Sequence, residues 1–381
     1  MSAEDRIGRV VMPKWGLSMK TGKITEWIAA EGDEVEEGDD LAEIDTDKIA
    51  GTLEADAPGV LRRIVAAAGT DAPVGCTIAV VAPAEVPDEA IEAVAAEARE
   101  QLARGVPADE EGPRAETAEV GGRAISYVSM GEEAADSGDV VVLVHGYGGD
   151  KNSWLFVQEP LAAGRTVHAL DLPGHGDSAK DVGDGSLETL ADTVLGFLDA
   201  VGARHAHLVG HSLGGAVATA AAARAPGRIR SITLVSPAGY GPSVDAAYLR
   251  GFATAGTRRE LKPHLLKLFA DESQVNRQLV DDLLKYKRLD GVDTALAALL
   301  RTLLDEDDRP ALDVTGLAAH LGEIPVAAVW GAQDRIIPPS NAASLRAAGA
   351  VVRVVDGAGH MAHMEAPAAV VAVVEEVLKG S

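Results

Sequence analysis

The character of the apolar runs changes once along this chain, and that change constrains the fold more than any other feature. From about residue 122 onward, continuous apolar runs alternate with helix-like stretches; the runs are DVVVLVH, RTVHALDL, HAHLVG, SITLVS, PVAAVWG and VVRVVDG. Strands that are apolar on both faces are typical of a parallel sheet covered by helices on each side. Between about 241 and 322 the alternation stops and helix-like sequence takes over. We therefore predict an α/β fold over 122–381, with a mostly parallel sheet and a helical cap.

The first 82 residues follow a different pattern. They contain short strand-like runs separated by Gly, Asp and Pro, namely RVVMP, KITEWIA, LAEIDT, KIAGTLEA, GVLRRIV and IAVVA. Short strands with turn residues at close spacing predict an all-β domain over 1–82. A length of 381 residues also exceeds one domain of ordinary size, so we predict a multidomain protein.

An acidic stretch rich in Ala, Glu and Pro separates the two patterns, over about 83–121. Such a composition does not bury a core of its own, so it predicts a linker. One part of it, Asp88–Arg104, lacks Pro and Gly and repeats apolar residues at helical spacing. We predict a helix there, whose role stays open between a solvated spacer and a docking element for a partner subunit.

Charge and cysteine content narrow the partners and the compartment. The net charge of -25, with a pI near 4.7, would repel nucleic acid and an anionic membrane surface. We see no segment with the length of a membrane span or the apolar core of a signal peptide. The single cysteine, Cys76, excludes a disulfide framework, and we expect it to be a small buried apolar residue. These features predict a cytoplasmic protein without nucleic-acid or membrane partners.

A lysine lies in the segment DTDK, between the strand-like runs LAEI and IAGTLEA. The turn formers Asp45, Thr46 and Asp47 predict an antiparallel hairpin that presents Lys48 to solvent at its tip. Exposure would let a modifying enzyme reach the ε-amine, and it would let a long arm attached there visit several active sites. An ordinary solubilising surface lysine is the plain alternative.

Residues 12–61 resemble the lipoyl domain of 2-oxo acid dehydrogenase complexes. The matching features are GDEVEEGD, EIDTDK and Gly59, which stands eleven residues after Lys48. The resemblance implies a flattened β-barrel with quasi-twofold symmetry, and (R)-lipoate bound covalently to Lys48 by a lipoate-attaching enzyme. Biotin is the alternative, since biotinyl domains share the fold. Their lysine typically lies between methionines, whereas Asp47 and Ile49 flank Lys48.

A second pattern of reactive residues lies in the α/β segment. The motif GHSLG stands between a strand-like run and an Ala-rich helix, with Ser212 at its centre. A serine at such a strand-to-helix turn is exposed as a nucleophile elbow. Asp334 and His360 follow, each just after a strand-like run, in the order serine, acid, histidine. We predict a catalytic triad in which His360 activates Ser212 and Asp334 orients the imidazole.

Two backbone N–H groups are candidates for an oxyanion hole: that of Leu213, after the nucleophile, and that of Tyr147, after a His-Gly pair. His363, three residues past His360, stays open as the alternative base. The remaining histidines near these motifs are interpreted as structural or pocket-lining: His145, His175 and His211. No metal-ligand spacing stands out among the ten histidines, so no metal is predicted.

The motifs HGYGG, DLPGHGDS and GHSLG, with the segments around Asp334 and His360, resemble the α/β-hydrolase superfamily over roughly 260 residues. The whole chain resembles the dihydrolipoamide acetyltransferase component of acetoin dehydrogenase complexes. That resemblance implies acetyl transfer from a lipoyl arm on Lys48 to coenzyme A through Ser212. It also implies two partners, a thiamine-diphosphate-dependent acetoin-cleaving component and a lipoamide dehydrogenase. Hydrolytic release of the acyl group, as by a thioesterase, and a mainly carrier or scaffold role both stay open.

Overall fold

The computed structural model describes most of the chain, namely residues 7–13, 21–36, 38–45, 50–55, 57–104, 115–131, 139–318 and 320–380. The chain divides into two compact units, Met1–Arg114 and Ala115–Ser381. No helix in these ranges is long and apolar enough to cross a membrane.

The first unit consists of two four-stranded antiparallel sheets, in the orders β1-β8-β6-β3 and β5-β4-β2-β7. Its strands are β1 (Gly8–Val11), β2 (Thr21–Trp27), β3 (Glu34–Val35), β4 (Asp40–Asp45), β5 (Ala50–Glu54), β6 (Gly59–Ile64), β7 (Asp71–Pro73) and β8 (Thr77–Ala82). Apolar side chains from both sheets, including Ile24, Ile44 and Leu61, share one core. The predicted all-β unit is confirmed.

Two sequence features of this unit have a structural reason. Gly59 of the family motif starts β6, where an added Cβ would lie 2.8 Å from the Val81 side chain of β8, so the two strands need glycine to approach. Cys76 was expected to be buried, but it lies half-buried in the turn before β8. Its carbonyl accepts the Met12 N–H and its own N–H donates to the Pro73 carbonyl, and these bonds keep it in the turn.

The lysine hairpin is framed by described strands. β4 and β5 pair antiparallel, with Asp45 opposite Ala50 at the end of the ladder. Residues 46–49 connect them, and Lys48 therefore lies outside the described residues. The structure supports the predicted strand pairing on either side of the lysine.

The stretch predicted as a linker is shorter than expected at both ends. The helix α1 (Asp88–Arg104) has the predicted bounds, but Ile91 and Ala95 are fully buried with Val80 of β8. Arg62 of β6 also pairs with the first residue of the helix, at 2.6 Å from Asp88. A solvated spacer was therefore the wrong expectation, because the apolar face of α1 completes the core of the first unit.

The second unit begins at Ala115, before the expected 122, and is built on one eight-stranded sheet of order β16-β15-β14-β13-β11-β12-β10-β9. Its strands are β9 (Ala115–Val120), β10 (Arg123–Met130), β11 (Asp139–Val144), β12 (Val167–Leu170), β13 (His205–His211), β14 (Ile229–Val235), β15 (Val326–Gly331) and β16 (Val351–Val355). β10 pairs antiparallel with both of its neighbours, β9 and β12, and all the other neighbouring strands pair parallel. β9 belongs here because Ala118 and Val120 are buried in the core.

Helices cover both faces of this sheet, as the continuous apolar strands predict. They are α2 (Leu155–Leu161), α3 (Leu187–Ala200), α4 (Leu213–Arg224), α5 (Ala246–Thr254), α6 (Arg258–Leu265), α7 (Arg277–Lys287), α8 (Val292–Leu303), α9 (Thr315–Ala318), α10 (Ala343–Ala347), α11 (Ala362–Glu365) and α12 (Pro367–Gly380). Alternate residues of β11 face opposite cores, Val142 with Phe197 of α3 and Val141 with Val373 of α12. Helices α5 to α9 lie between β14 and β15, where the cap was predicted.

Candidate active site

Ser212 lies at the turn between β13 and α4, with an unusual backbone conformation. Its φ of 51° and ψ of -118° are rare for a residue with a side chain. Glycine stands on either side of it because the turn is tight. A Cβ on Gly210 would lie 2.3 Å from the Gly214 carbonyl oxygen, and one on Gly214 would lie 2.2 Å from that of Val144. The geometry is that of a nucleophile elbow.

Backbone hydrogen bonds hold this strained turn in place. The Ser212 N–H donates to the Val235 carbonyl at 3.0 Å, and the Ala238 N–H donates to the Ser212 carbonyl at 3.0 Å. Both partners belong to the end of β14 and the residues after it. Strain of this kind persists only where the surrounding structure determines the conformation, and it is concentrated at functional sites.

His360 and Asp334 form a buried pair. His360 Nδ1 lies 2.8 Å from Asp334 Oδ2, and the two residues are 3% and 5% exposed. The other carboxylate oxygen, Oδ1, accepts the N–H groups of Ile336 and Ile337, each at 2.9 Å. Because the carboxylate can only accept, Nδ1 carries the proton and Nε2 is the free base position.

His211 brings the end of β13 to this pair. Its Nε2 donates to the His360 carbonyl oxygen at 3.0 Å, and the two ring centroids are 4.7 Å apart. Since Ser212 follows His211 directly, the carboxyl end of β13 places the elbow serine next to the His360–Asp334 pair. Among the described residues no hydrogen bond joins the Ser212 hydroxyl to His360; such a contact commonly shortens only when substrate binds.

The turn after β11 lies against the nucleophile. A Cβ on Gly146 would be 2.9 Å from the Ser212 Cβ, so this turn and the elbow touch. Two neighbouring N–H groups of the turn already have hydrogen-bond acceptors. That of Gly148 donates to His175 Nε2 at 3.0 Å, and that of Gly149 donates to the Gly146 carbonyl at 3.1 Å. Within the described part of the chain, the N–H groups of Tyr147 and Leu213 have no hydrogen-bond partner. Two free donors beside a serine suit an oxyanion.

His145 and His175 act as neutral supports of that turn. His145 accepts the Leu172 N–H at Nε2, at 3.0 Å, and donates from Nδ1 to the Gly146 carbonyl. His175 accepts the Gly148 N–H at Nε2 and donates from Nδ1 to the Pro173 carbonyl at 3.1 Å. Burial lowers the pKa of both imidazoles, so each keeps one donor and one acceptor.

His363, the alternative base, has no carboxylate partner. It is fully buried, with its ring centroid 4.5 Å from that of Trp154 and 4.4 Å from that of His211. Neither ring nitrogen has a hydrogen-bond partner among the described residues. Burial, with the nearby His360 and His145, lowers the pKa of His363 to about 3. Its surroundings favour packing, whereas Asp334 orients His360.

A buried ion pair fixes the loop that carries His175. Asp171 is fully buried and accepts from the Lys151 backbone N–H and ammonium, each at 2.7 Å. It also accepts the Asp177 N–H at 2.8 Å. The acidic residues of DLPGHGDS thus have a structural role, whereas the sequence indicated only a strand followed by a turn.

Two cap residues beside the oxyanion turn were missed from the sequence. The Phe252 ring of α5 lies 5.9 Å from the ring of Tyr147. The Tyr286 hydroxyl of α7 donates to the Gly174 carbonyl at 2.8 Å, and its ring stacks on His175 at 6.5 Å. Helical periodicity identified these helices but not the side chains that would meet the sheet edge, because that depends on how the cap folds back.

Family models match both units. One described as the alpha/beta hydrolase fold covers residues 139–367, and one described as biotin-requiring enzyme, of the biotin/lipoyl type, covers residues 8–81. The second unit also superposes on the crystal structure of a membrane phospholipase A, with a TM-score of 0.62 and 26% identity over 71% of this chain and 86% of that one. The fold and the elbow serine define an α/β-hydrolase-fold protein that carries a biotin/lipoyl-type domain.

Full-length relatives narrow this class. A dihydrolipoyllysine-residue acetyltransferase component of the acetoin cleaving system from Pseudomonas putida is 45% identical, over 95% of each chain. The component of the same name from Cupriavidus necator is 43% identical, over 93% of each chain. The chain belongs to the family of dihydrolipoyllysine-residue acetyltransferase components of acetoin cleaving systems.

The described residues offer no candidate metal centre. Within these ranges no three or more His, Cys, Asp or Glu side chains are arranged to hold a metal ion. The described site contains a serine, an imidazole, a carboxylate and backbone N–H donors.

Proposed function

We propose that this chain transfers an acetyl group from a dihydrolipoyl group on Lys48 to coenzyme A, with Ser212 as nucleophile. The observation that carries the proposal is the buried pair of His360 and Asp334 beside an elbow serine. The acetyltransferase names of the two full-length relatives support the same reaction.

The strands around Lys48 fit a covalently attached arm. β4 and β5 pair up to Asp45 and Ala50, so the connection between them is only four residues long and contains one lysine. Attachment of lipoate needs no more of the protein than a lysine amine, which forms an amide. When bound, a dihydrolipoyl group would supply a thiol that carries acetyl as a thioester.

In the first half of the reaction, Ser212 Oγ attacks the carbonyl carbon of an acetyl thioester. His360 Nε2 takes the hydroxyl proton, and Asp334 stabilises the imidazolium that forms. Negative charge on the carbonyl oxygen is met by the N–H groups of Tyr147 and Leu213. The carbon–sulfur bond then breaks, the proton passes from His360 to the leaving sulfur, and an acetyl ester remains on Ser212.

In the second half, coenzyme A replaces the departing thiol. Its thiol gives a proton to His360 Nε2 while its sulfur attacks the acetyl-ester carbon. A carbon–sulfur bond forms, the bond to Ser212 Oγ breaks, and Oγ regains the proton from His360. The products are acetyl-CoA and the original enzyme, with no oxidation or reduction.

The proposal includes the partners of the reaction sequence. A thiamine-diphosphate-dependent acetoin-cleaving component would supply the acetyl group, a lipoamide dehydrogenase would reoxidise the dithiol, and a lipoate-attaching enzyme would modify Lys48. The support is that both named relatives are components of an acetoin cleaving system.

The transfer is tested with acetyl-dihydrolipoamide, with and without coenzyme A, on the wild type and Ser212→Ala. We expect acetyl-CoA from the wild type and a loss of at least about 10³-fold in the variant, as for other serine nucleophiles. Acetate release that ignores coenzyme A would replace transfer by hydrolysis. Undiminished acetyl-CoA formation by Ser212→Ala would remove Ser212 as the nucleophile, and no product from either protein would leave only the carrier role.

The attachment is tested by the intact mass of protein from lipoate-competent cells. We expect one lipoyl group per wild-type chain and none on Lys48→Arg. The control is Lys23→Arg, an exposed lysine of β2 in the same unit, which should remain modified. A biotin mass, or modification that persists in Lys48→Arg, would contradict the assignment.

A further inference from the structure

One segment of the cap is basic in an otherwise acidic protein. Between Arg258 and Arg288 there are eight Lys or Arg residues and five Asp or Glu residues, whereas the whole chain has a net charge of -25. This segment contains α6 and α7. A positive region on such a protein is a candidate binding site for an anion, because the rest of the surface would repel it.

The basic residues line a groove between the two helices. The groove, of about 390 Å³, is lined by Arg258 and Lys262 of α6 and by Arg277 and Val280 of α7. We call it the α6–α7 groove. Arg258 and Arg277 are the first residues of their helices, so the partly positive N-terminal ends of both helices lie at the groove as well.

The acidic groups around the groove leave its charge positive. Asp281 forms an ion pair with Arg258 and lies 3.9 Å from Arg277 Nε. Glu260 is used at the start of α6, where it accepts the N–H groups of Gly256 and Thr257. The Lys262 ammonium has no ion-pair partner in the described part of the chain. The three cations Arg258, Lys262 and Arg277 thus lie with two carboxylates, those of Asp281 and Glu260, so one net positive charge remains.

The same helices lead to the active site. The Tyr286 hydroxyl of α7 binds the Gly174 carbonyl, and its ring stacks on His175, which supports the oxyanion turn. Arg277 lies nine residues earlier on α7, about 14 Å along the helix. The helix α7 therefore runs from the groove to the side chain that packs on His175.

We infer that the α6–α7 groove binds the phosphates of coenzyme A, and this rests on the proposed transfer to coenzyme A. The nucleotide carries a diphosphate and a 3′-phosphate, which suit the Lys262 ammonium and the planar donors of Arg277. Its pantetheine arm contains two amides and resembles about four extended residues, which span roughly 14 Å. An arm of this length is of the same order as the run of α7 from Arg277 to Tyr286.

The test uses adenosine 3′,5′-bisphosphate, which has the phosphates but no thiol, titrated calorimetrically into the full-length protein. We expect the double variant Lys262→Gln/Arg277→Gln to bind it about ten-fold more weakly than the wild type, with salt weakening the wild type further. The matched control is Arg259→Gln, which removes the same charge from an exposed position of α6 outside the groove lining. It should bind like the wild type.

Steady-state kinetics distinguish nucleotide binding in the groove from the acetyl-transfer reaction. The double variant should raise the KM for coenzyme A about ten-fold and leave the KM for pantetheine, which lacks the nucleotide, unchanged. Binding without any acetyl-CoA formation would uphold the groove and reject the proposed transfer. Failure of the wild type to bind the bisphosphate, or equal binding by the double variant, overturns the inference. A loss in Arg259→Gln equal to that in the double variant overturns it too.

Discussion

Asp334 faces His360 with one carboxylate oxygen and the backbone with the other. Oδ2 lies 2.8 Å from His360 Nδ1, while Oδ1 accepts two N–H groups from the turn that follows β15. The carboxylate cannot rotate without losing these bonds, so it holds the imidazole in one tautomer with Nε2 free. The relationship makes His360, rather than His363, the histidine suited to activate Ser212.

Asp334→Asn should lower kcat for acetyl-CoA formation by about 10³–10⁴-fold, because an amide can turn its NH₂ to the imidazole and impose the wrong tautomer. The KM for coenzyme A should change little, since the carboxylate lies behind the histidine. Steady-state kinetics with acetyl-dihydrolipoamide measure both constants. A matched control is Asp356→Asn, an exposed aspartate of the same unit, which should retain wild-type kinetics. Near-normal kcat in Asp334→Asn would remove this residue from the proposed triad.

Gly146→Ala should lower kcat by about 10²–10³-fold, the effect expected when one oxyanion donor is displaced. The new Cβ would lie 2.9 Å from both His211 Nδ1 and the Ser212 Cβ, so the turn carrying the Tyr147 N–H must shift. Gly227→Ala is the control, because its added Cβ meets nothing within 4 Å. Circular dichroism establishes that both variants are folded. A Gly146→Ala enzyme with unchanged kcat would argue against this turn as part of the oxyanion hole.

His363 should make the second unit less stable as the pH falls below about 6.5. Burial lowers the pKa of His363 to about 3 in the folded protein, whereas an exposed histidine has a pKa near 6.5. Between these values the unfolded chain binds the proton and the folded chain does not, so the free energy of unfolding decreases by about 1.4 kcal/mol per pH unit. Above pH 6.5 both states are neutral and this dependence vanishes.

The measurement is urea unfolding at pH 7.5 and pH 5.5, for the wild type and for His363→Phe, which keeps an aromatic ring against Trp154. The variant should lose less stability than the wild type on going to pH 5.5, by about 1.4 kcal/mol. His320→Phe, at an exposed histidine, should keep the wild-type dependence. An equal pH dependence in His363→Phe and the wild type would contradict the prediction.

Ile91→Ala should destabilise the first unit by about 2–4 kcal/mol, because this residue of α1 is fully buried against β8. Calorimetry of the full chain should show the transition of the first unit at a lower temperature, with that of the second unit unchanged. Glu89→Ala, at an exposed position of the same helix, should leave both transitions in place. If the helix were only a solvated spacer, Ile91→Ala would leave both transitions in place, as Glu89→Ala does.

Local patterns in the chain were sufficient for much of this protein. The short β runs, the continuous apolar strands and the break at about 241–322 predicted both units and the cap, because periodicity reports which faces are buried. The motif around Ser212 predicted the elbow, because a tight strand-to-helix turn needs glycine on either side of the serine. The order of serine, acid and histidine in the chain likewise predicted the elbow serine and the His360–Asp334 pair, which the structure describes.

Composition alone gave a wrong prediction for part of the stretch at the junction of the two units. Residues 83–121 are acidic and rich in Ala, Glu and Pro, which is typical of a linker. The burial of Ile91 on β8 and the pairing of β9 with β10 depend on which residues face a neighbouring strand, and composition does not report that. Within 83–121, the segments Asp88–Arg104 and Ala115–Val120 belong to described elements.

The amino-acid sequence by itself determined the elements and the chemistry of the reactive side chains, because turn formers, periodicity and nucleophile type are local properties. The tertiary structure decided which histidine meets Asp334, which backbone N–H groups stay unpaired, and which cap residues reach the oxyanion turn. These depend on distances between separate segments, such as those of Asp334 and His360 or of Tyr147 and Phe252. Only the packing of the sheet and cap sets those distances.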